Sequence, residues 1–170
     1  MHGVAWQFLR MRPANFPTLK IVQLASVYAA VAPIWGRVLA NPEQKNLTEL
    51  FTPEVSDYWF NHYLTDKPGR RVPRGLSNAF IQQLILNAVV PVLFSYGKFK
   101  SSPQLIQQAL STLESVLPEQ NRITQLWKKN GINPINGLHS QGMLQQTYSM
   151  CQFTRCTECG IGTNLLKSYI

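Results

Sequence analysis

The sequence predicts an all-α fold: a single compact domain of about seven or eight helices around one central apolar helix. Three observations carry this. Capping residues stand directly before proline at Asn41-Pro42, Thr52-Pro53 and Ser102-Pro103. Such a pair starts a helix, because the side-chain oxygen accepts an orphan backbone N–H and proline gives up a donor the first turn does not use. Apolar residues recur at helical spacing, and no polar/apolar alternation or Asn-Gly hairpin joins two strand-like runs.

In chain order, an N-terminal arm over 1–17 leads into a helix over 18–39, broken near Pro33 and Gly36. Short helices follow at 43–50 and 53–63, where Glu43 and Glu54 stand against the positive helix ends. The run from Leu76 to Tyr96, with "LILNAVVPVLF" inside it, is apolar almost all round and is the central helix, kinked where Pro91 frees the carbonyl of Asn87. A buried strand over Val89–Phe94 is the competing reading. From Pro103, Leu105, Ile106, Ala109, Leu110, Leu113 and Val116 share one face, with Gln107, Gln108, Ser111 and Glu114 opposite. Helices at 119–130, stopped by Asn130-Gly131, at 140–150, capped by Ser140, and at 159–168 complete the set. Residues 1–170 are read as one domain, with a cysteine-containing tail over 138–170 packed on the body.

A 170-residue chain with 45% apolar residues is large enough for a real core. Its 16 Lys+Arg against 8 Asp+Glu give a formal charge of +8, which favours an anionic partner. The charge is segmental. Residues 1–42 hold Arg10, Arg12, Lys20 and Arg37 with no carboxylate, and residues 67–113 hold Lys67, Arg70, Arg71, Arg74, Lys98 and Lys100, again with none. The longest apolar runs, of 15 and 11 residues, fall short of the ~20 that span a bilayer. No secretory signal pattern begins the chain. The expectation is a cytoplasmic protein with no membrane contact.

Most catalytic signatures are missing: there is no phosphate-cradling glycine loop, nucleophile elbow or H-E-x-x-H pair. The carboxylates do not cluster, so two-metal and glycosidase chemistry lacks its ligands, and enzyme activity is not expected. The chemical signal that remains is Cys151-x4-Cys156-x2-Cys159. Three readings stand side by side. The thiols bind zinc or an iron–sulfur cluster, with His139 or another chain as fourth ligand. Alternatively, Cys156 and Cys159 form a redox pair, although the usual βαβ setting is absent. Or all three are small buried residues at a helix junction. For an anion, the loop "TDKPGRRVPRG" with Lys67, Arg70, Arg71 and Arg74 comes first. The arm "WQFLRMRPANFP" comes second, with Arg10 and Arg12 among aromatic rings able to stack on bases or to anchor on the core.

The stretches "FLRMRPANFPTLKIVQLA", "VVPVLFSYGKFK" and "YSMCQFTRCTECGIGTNLLK" resemble the C-terminal half of an uncharacterised bacterial protein family, a domain of unknown function. The matching positions are Arg10, Arg12, Pro13, Asn15 and Pro17, then Pro91, Tyr96 and Gly97, then Cys151, Arg155, Cys156, Cys159 and Gly162. Longer members carry a preceding acidic, histidine-containing region of nuclease-like character, so the resemblance implies a truncated or short stand-alone member and brings no activity with it. The resulting expectation is a helical accessory or binding module that contacts nucleic acid through a cationic loop and uses its cysteines structurally. The alternative is a protein-interaction module stabilised by zinc or an iron–sulfur cluster.

Overall fold

The computed structural model describes residues 12, 15–64, 67–69 and 74–168. The fold is all-α, and the chain gathers into two compact units, 1–93 and 94–170. The described helices are α1 (Pro17–Val31), α2 (Ile34–Ala40), α3 (Gln44–Leu50), α4 (Asp57–Phe60), α5 (Asn78–Leu84), α6 (Val90–Phe99), α7 (Pro103–Ser115), α8 (Arg122–Lys129), α9 (Gly137–Ser149) and α10 (Gly160–Lys167). One small antiparallel pair joins β1 (His62–Leu64) to β2 (Lys67–Pro68).

In the first unit, Leu19, Val27, Val38, Leu47, Ile81 and Ile85 are almost wholly buried and form an aliphatic core. The predicted break near Pro33 is real, since α1 and α2 meet at a bend of 64°. Gln23 is buried with them, a polar exception that the structure satisfies. Its Nε2 donates to the Gly75 carbonyl at 2.8 Å and its Oε1 accepts from Lys20 Nζ at 3.3 Å. A buried amide left unpaired would cost about 1–3 kcal/mol, so this side chain ties the segment after β2 to α1.

Two of the three cap-proline starts fail here. Asn41 Oδ1 accepts the Glu43 N–H, yet α3 begins only at Gln44, and Pro42 is buried ahead of it. Thr52 ends a helix instead of starting one: its hydroxyl donates back to the Thr48 carbonyl. The Val55 N–H then goes to the Arg74 carbonyl at 2.9 Å, and residues 52–56 lie outside any helix. The expected helix over 53–63 shrinks to α4, whose N-cap residue Ser56 makes no side-chain cap bond, and β1 follows.

The long apolar helix is present, Asn78–Phe99, made of α5, a π-helical turn over Ile85–Val89 and α6. Ser77 caps it, accepting the Phe80 N–H. The Val90 N–H reaches back five residues to the Ile85 carbonyl. The wider turn stands just ahead of Pro91, which has no N–H and crowds the carbonyl four residues earlier, so the strain predicted as a kink is taken up as a π bulge. At 22 residues, with an 18-residue stretch of mean hydropathy 1.6, this helix is long and apolar enough, by length and composition only, to cross a membrane. The sequence had offered only its 11-residue apolar run.

In the second unit, α9 packs on α7 and α8. Ser102 and Pro103 start α7 as predicted, with the Leu105 N–H on Ser102 Oγ. Ala109, Leu113 and Val116 of the predicted stripe are buried, and so is Thr112. Helix α8 starts at Arg122 rather than 119, because Asn121 and Thr124 exchange a reciprocal capping pair. The Glu119 N–H is already given to Ser140 Oγ at 3.1 Å. Ser140 is accordingly no cap: it lies buried inside α9, whose cap is Asn136, accepting the His139 N–H.

Candidate nucleic-acid interface and the cysteine tail

The cationic loop is fixed at both ends. Lys67 and Pro68 pair with β1, and at the other end Gly75 is held by Gln23. Arg74 stands in ion pairs with Asp57 at 3.0 Å and Glu54 at 3.8 Å, and its guanidinium lies 4.4 Å from the centre of the Phe60 ring. These pairs are largely exposed and worth under about 1 kcal/mol each, but they commit the Arg74 charge to the fold. Arg70 and Arg71 lie outside the described residues, as does Arg10. Arg12 is exposed, and its carbonyl accepts the Asn15 N–H. Phe16, the last ring of the N-terminal arm, is buried, as an anchor on the core would be.

Lys20 is a second cation that the fold has absorbed. Its ammonium sits 4.6 Å over the Phe80 ring, and partial burial holds its pKa below the ordinary lysine value. Arg37 borders a pocket of about 290 Å³ together with Asn41, Asn46 and Glu49 over Leu47 and Leu50. His62 stacks on Tyr58, ring centres 4.1 Å apart, with Nδ1 at 2.8 Å from the Tyr58 carbonyl.

The end of α6 carries a cationic surface whose lysines belong to the acid-free segment but were not among the candidate site residues. Lys98 Nζ lies 5.1 Å over Phe94, and Lys100 Nζ lies 5.7 Å from the centre of Tyr96 and 5.5 Å from that of Phe99. Both lysines are exposed, Phe99 is 80% exposed, and among the described residues neither lysine pairs with a carboxylate. The signal was present in "FSYGKFK", where three rings and two lysines fall in seven residues. It is the same mixture that drew attention to the N-terminal arm.

The four proposed metal ligands do not converge. Among the described residues no group of three or more His, Cys, Asp or Glu is placed to hold a metal ion. Cys151 and Cys156 are exposed, and His139 is exposed in the first turn of α9. Cys159 alone is buried. It stands at the N-cap of α10, where its Sγ accepts the Gly162 N–H at 3.4 Å and lies 2.9 Å from Gln146 Nε2 of α9. The thiol thus caps one helix and links it to another. Arg155 pairs with Glu158 at 3.3 Å inside the same turn.

A family model described as "Protein of unknown function (DUF2851)" matches residues 1–122. The match takes in the cationic loop and the end of α6 and stops before the cysteines. No curated protein and no solved structure matches the chain.

Proposed function

The chain belongs to the DUF2851 family, whose description assigns no activity, and from its own residues we propose a helical module that binds nucleic acid through its cationic surface, in the cytoplasm, with Cys159 holding the tail in place. The observation that supports this best is the acid-free segment over 67–113. Its side chains are used in two ways. Arg74 is spent on Asp57 and Glu54, while Lys98 and Lys100 rest on aromatic rings at the surface and keep their charge available. Phosphate is the anion that such spaced point charges suit, and released counterions supply the driving force. The exposed free thiols Cys151 and Cys156 fit a reducing compartment.

Fluorescence anisotropy with labelled DNA and RNA, titrated across a salt series, tests the reading. Binding should weaken steeply between roughly 50 and 200 mM salt, and charge reversal in R70E/R71E should weaken it further. An affinity indifferent to salt would sink the electrostatic reading, and an unchanged R70E/R71E variant would remove the loop from it.

A further inference from the structure

We propose that the α6–α7 corner is a binding site for single-stranded nucleic acid, in which Phe99 stacks on an unpaired base and Lys98 and Lys100 neutralise the flanking phosphates. This rests on the nucleic-acid reading above and gives it a place and a strand preference.

The corner is rigid. Helix α6 ends in a complete Schellman turn, in which the Ser101 N–H donates to the Lys98 carbonyl and the Ser102 N–H to the Gly97 carbonyl, with Ser101 left-handed at φ 50°. Ser102 then caps α7 at once, so no slack separates the helices. Gly97 lets them close: a Cβ there would stand 3.0 Å from Ile106 Cγ1 and from the Ile106 nitrogen. Phe99 therefore projects from a fixed backbone; Lys98 is already drawn over Phe94, and Lys100 over Tyr96 and Phe99. Fixing these groups beforehand lowers the ordering cost that flexible lysines would otherwise impose on binding.

An exposed ring flanked by cations has the chemistry of single-strand recognition, because every unpaired base offers a face to stack on and every linkage offers a phosphate. A duplex buries those faces. An interfacial membrane anchor calls for a wide apolar face, whereas Ser95, Ser101, Pro103 and Gln104, close to Phe99 in the chain, are exposed, and three of the four are polar.

The test uses the full chain and fluorescein-labelled oligo(dT) and oligo(U) of about 12 nucleotides, within the span of single-strand sites. A duplex of equal length and vesicles of phosphatidylcholine with phosphatidylglycerol complete the set. Wild type should prefer a single strand over the duplex, and the dT and U arms show whether DNA or RNA is taken. F99A should weaken single-strand binding about 5- to 150-fold, the equivalent of ~1–3 kcal/mol of stacking, while F99W retains it. K98Q/K100Q should flatten the salt slope by about 0.7 per lysine. Phe99 is so exposed that F99A should melt like wild type, and K98Q/K100Q reads the same site independently.

If wild type binds oligonucleotides and both variants bind equally well, this site is wrong and the broader reading stands. If wild type binds no nucleic acid at all, both fall. A preference for duplex, or Phe99-dependent binding to the vesicles alone, also overturns the proposal.

Discussion

The α6–α7 corner and the turn from α9 into α10 are built alike. Each contains a non-glycine residue in the left-handed region, Ser101 at φ 50° and Thr154 at φ 54°. Each starts its next helix with a short side chain that accepts a backbone N–H, Ser102 Oγ from Leu105 and Cys159 Sγ from Gly162. Each relies on a glycine at a point of close approach, Gly97 and Gly162. They differ in what they turn outward. The first presents Lys98, Phe99 and Lys100, while the second presents two thiols and an arginine already paired with Glu158. A motif that draws the eye for its chemistry can therefore serve as a cap, while a less conspicuous run of lysines and rings holds the surface free to bind.

The largest effect is expected where the parallel is tightest. A Cβ at Gly162 would run into the Cys156 carbonyl, which is backbone and cannot swing away. G162A should detach α10 and cost at least the ~1–3 kcal/mol of an overpacked site. G97A meets Ile106, where a side chain gives part of the way and the backbone nitrogen does not, so its cost should be smaller. Denaturant unfolding, with amide exchange followed in α7 and α10, ranks the two. Equal losses, or none, would break the comparison.

Next come the thiols. C159A removes the cap on α10 and the partner of Gln146, and should cost about 0.5–2 kcal/mol. C159S should recover part of this, because a hydroxyl still accepts the Gly162 N–H. C151S and C156S, at exposed positions, should stay within about 0.5 kcal/mol of wild type. Thermal melts of the four variants decide it. If all three cysteines proved equally costly, something they share, a metal above all, would be holding the tail, and a chelator would then lower the melting point.

How far the sequence revealed these features follows from the range of the interactions behind them. Ser102-Pro103 and Asn130-Gly131 were legible because cap and stop act within five residues. At Gly131, φ is 84°, and the Ile132 N–H closes on the Trp127 carbonyl as such a stop requires. Thr52-Pro53 misled because the deciding bond, from the Val55 N–H to the Arg74 carbonyl, spans nineteen residues. Ser140 misled for the same reason, its partner Glu119 lying 21 residues away. Of the candidate site residues, Arg74 read as a free cation until Asp57 and Glu54 were placed beside it. The cysteine spacing allowed convergence on one metal, and only the capping geometry showed what Cys159 does.

The smallest effect concerns the two left-handed residues and discriminates most finely between the corners. An L-residue in that region gives up roughly 1–2 kcal/mol, which glycine avoids, while glycine's freer unfolded chain returns ~0.4–1 kcal/mol of the gain. S101G and T154G should therefore each stabilise by a fraction of a kcal/mol to about 1. Thr154 is β-branched, which crowds the left-handed backbone more than serine does, so T154G should gain more than S101G. The ordering in a urea titration is the informative quantity. Were S101G the larger gain, the α6–α7 corner would be the more strained of the two, and the rigidity that presents Phe99 would be maintained at greater cost than that of the cysteine turn.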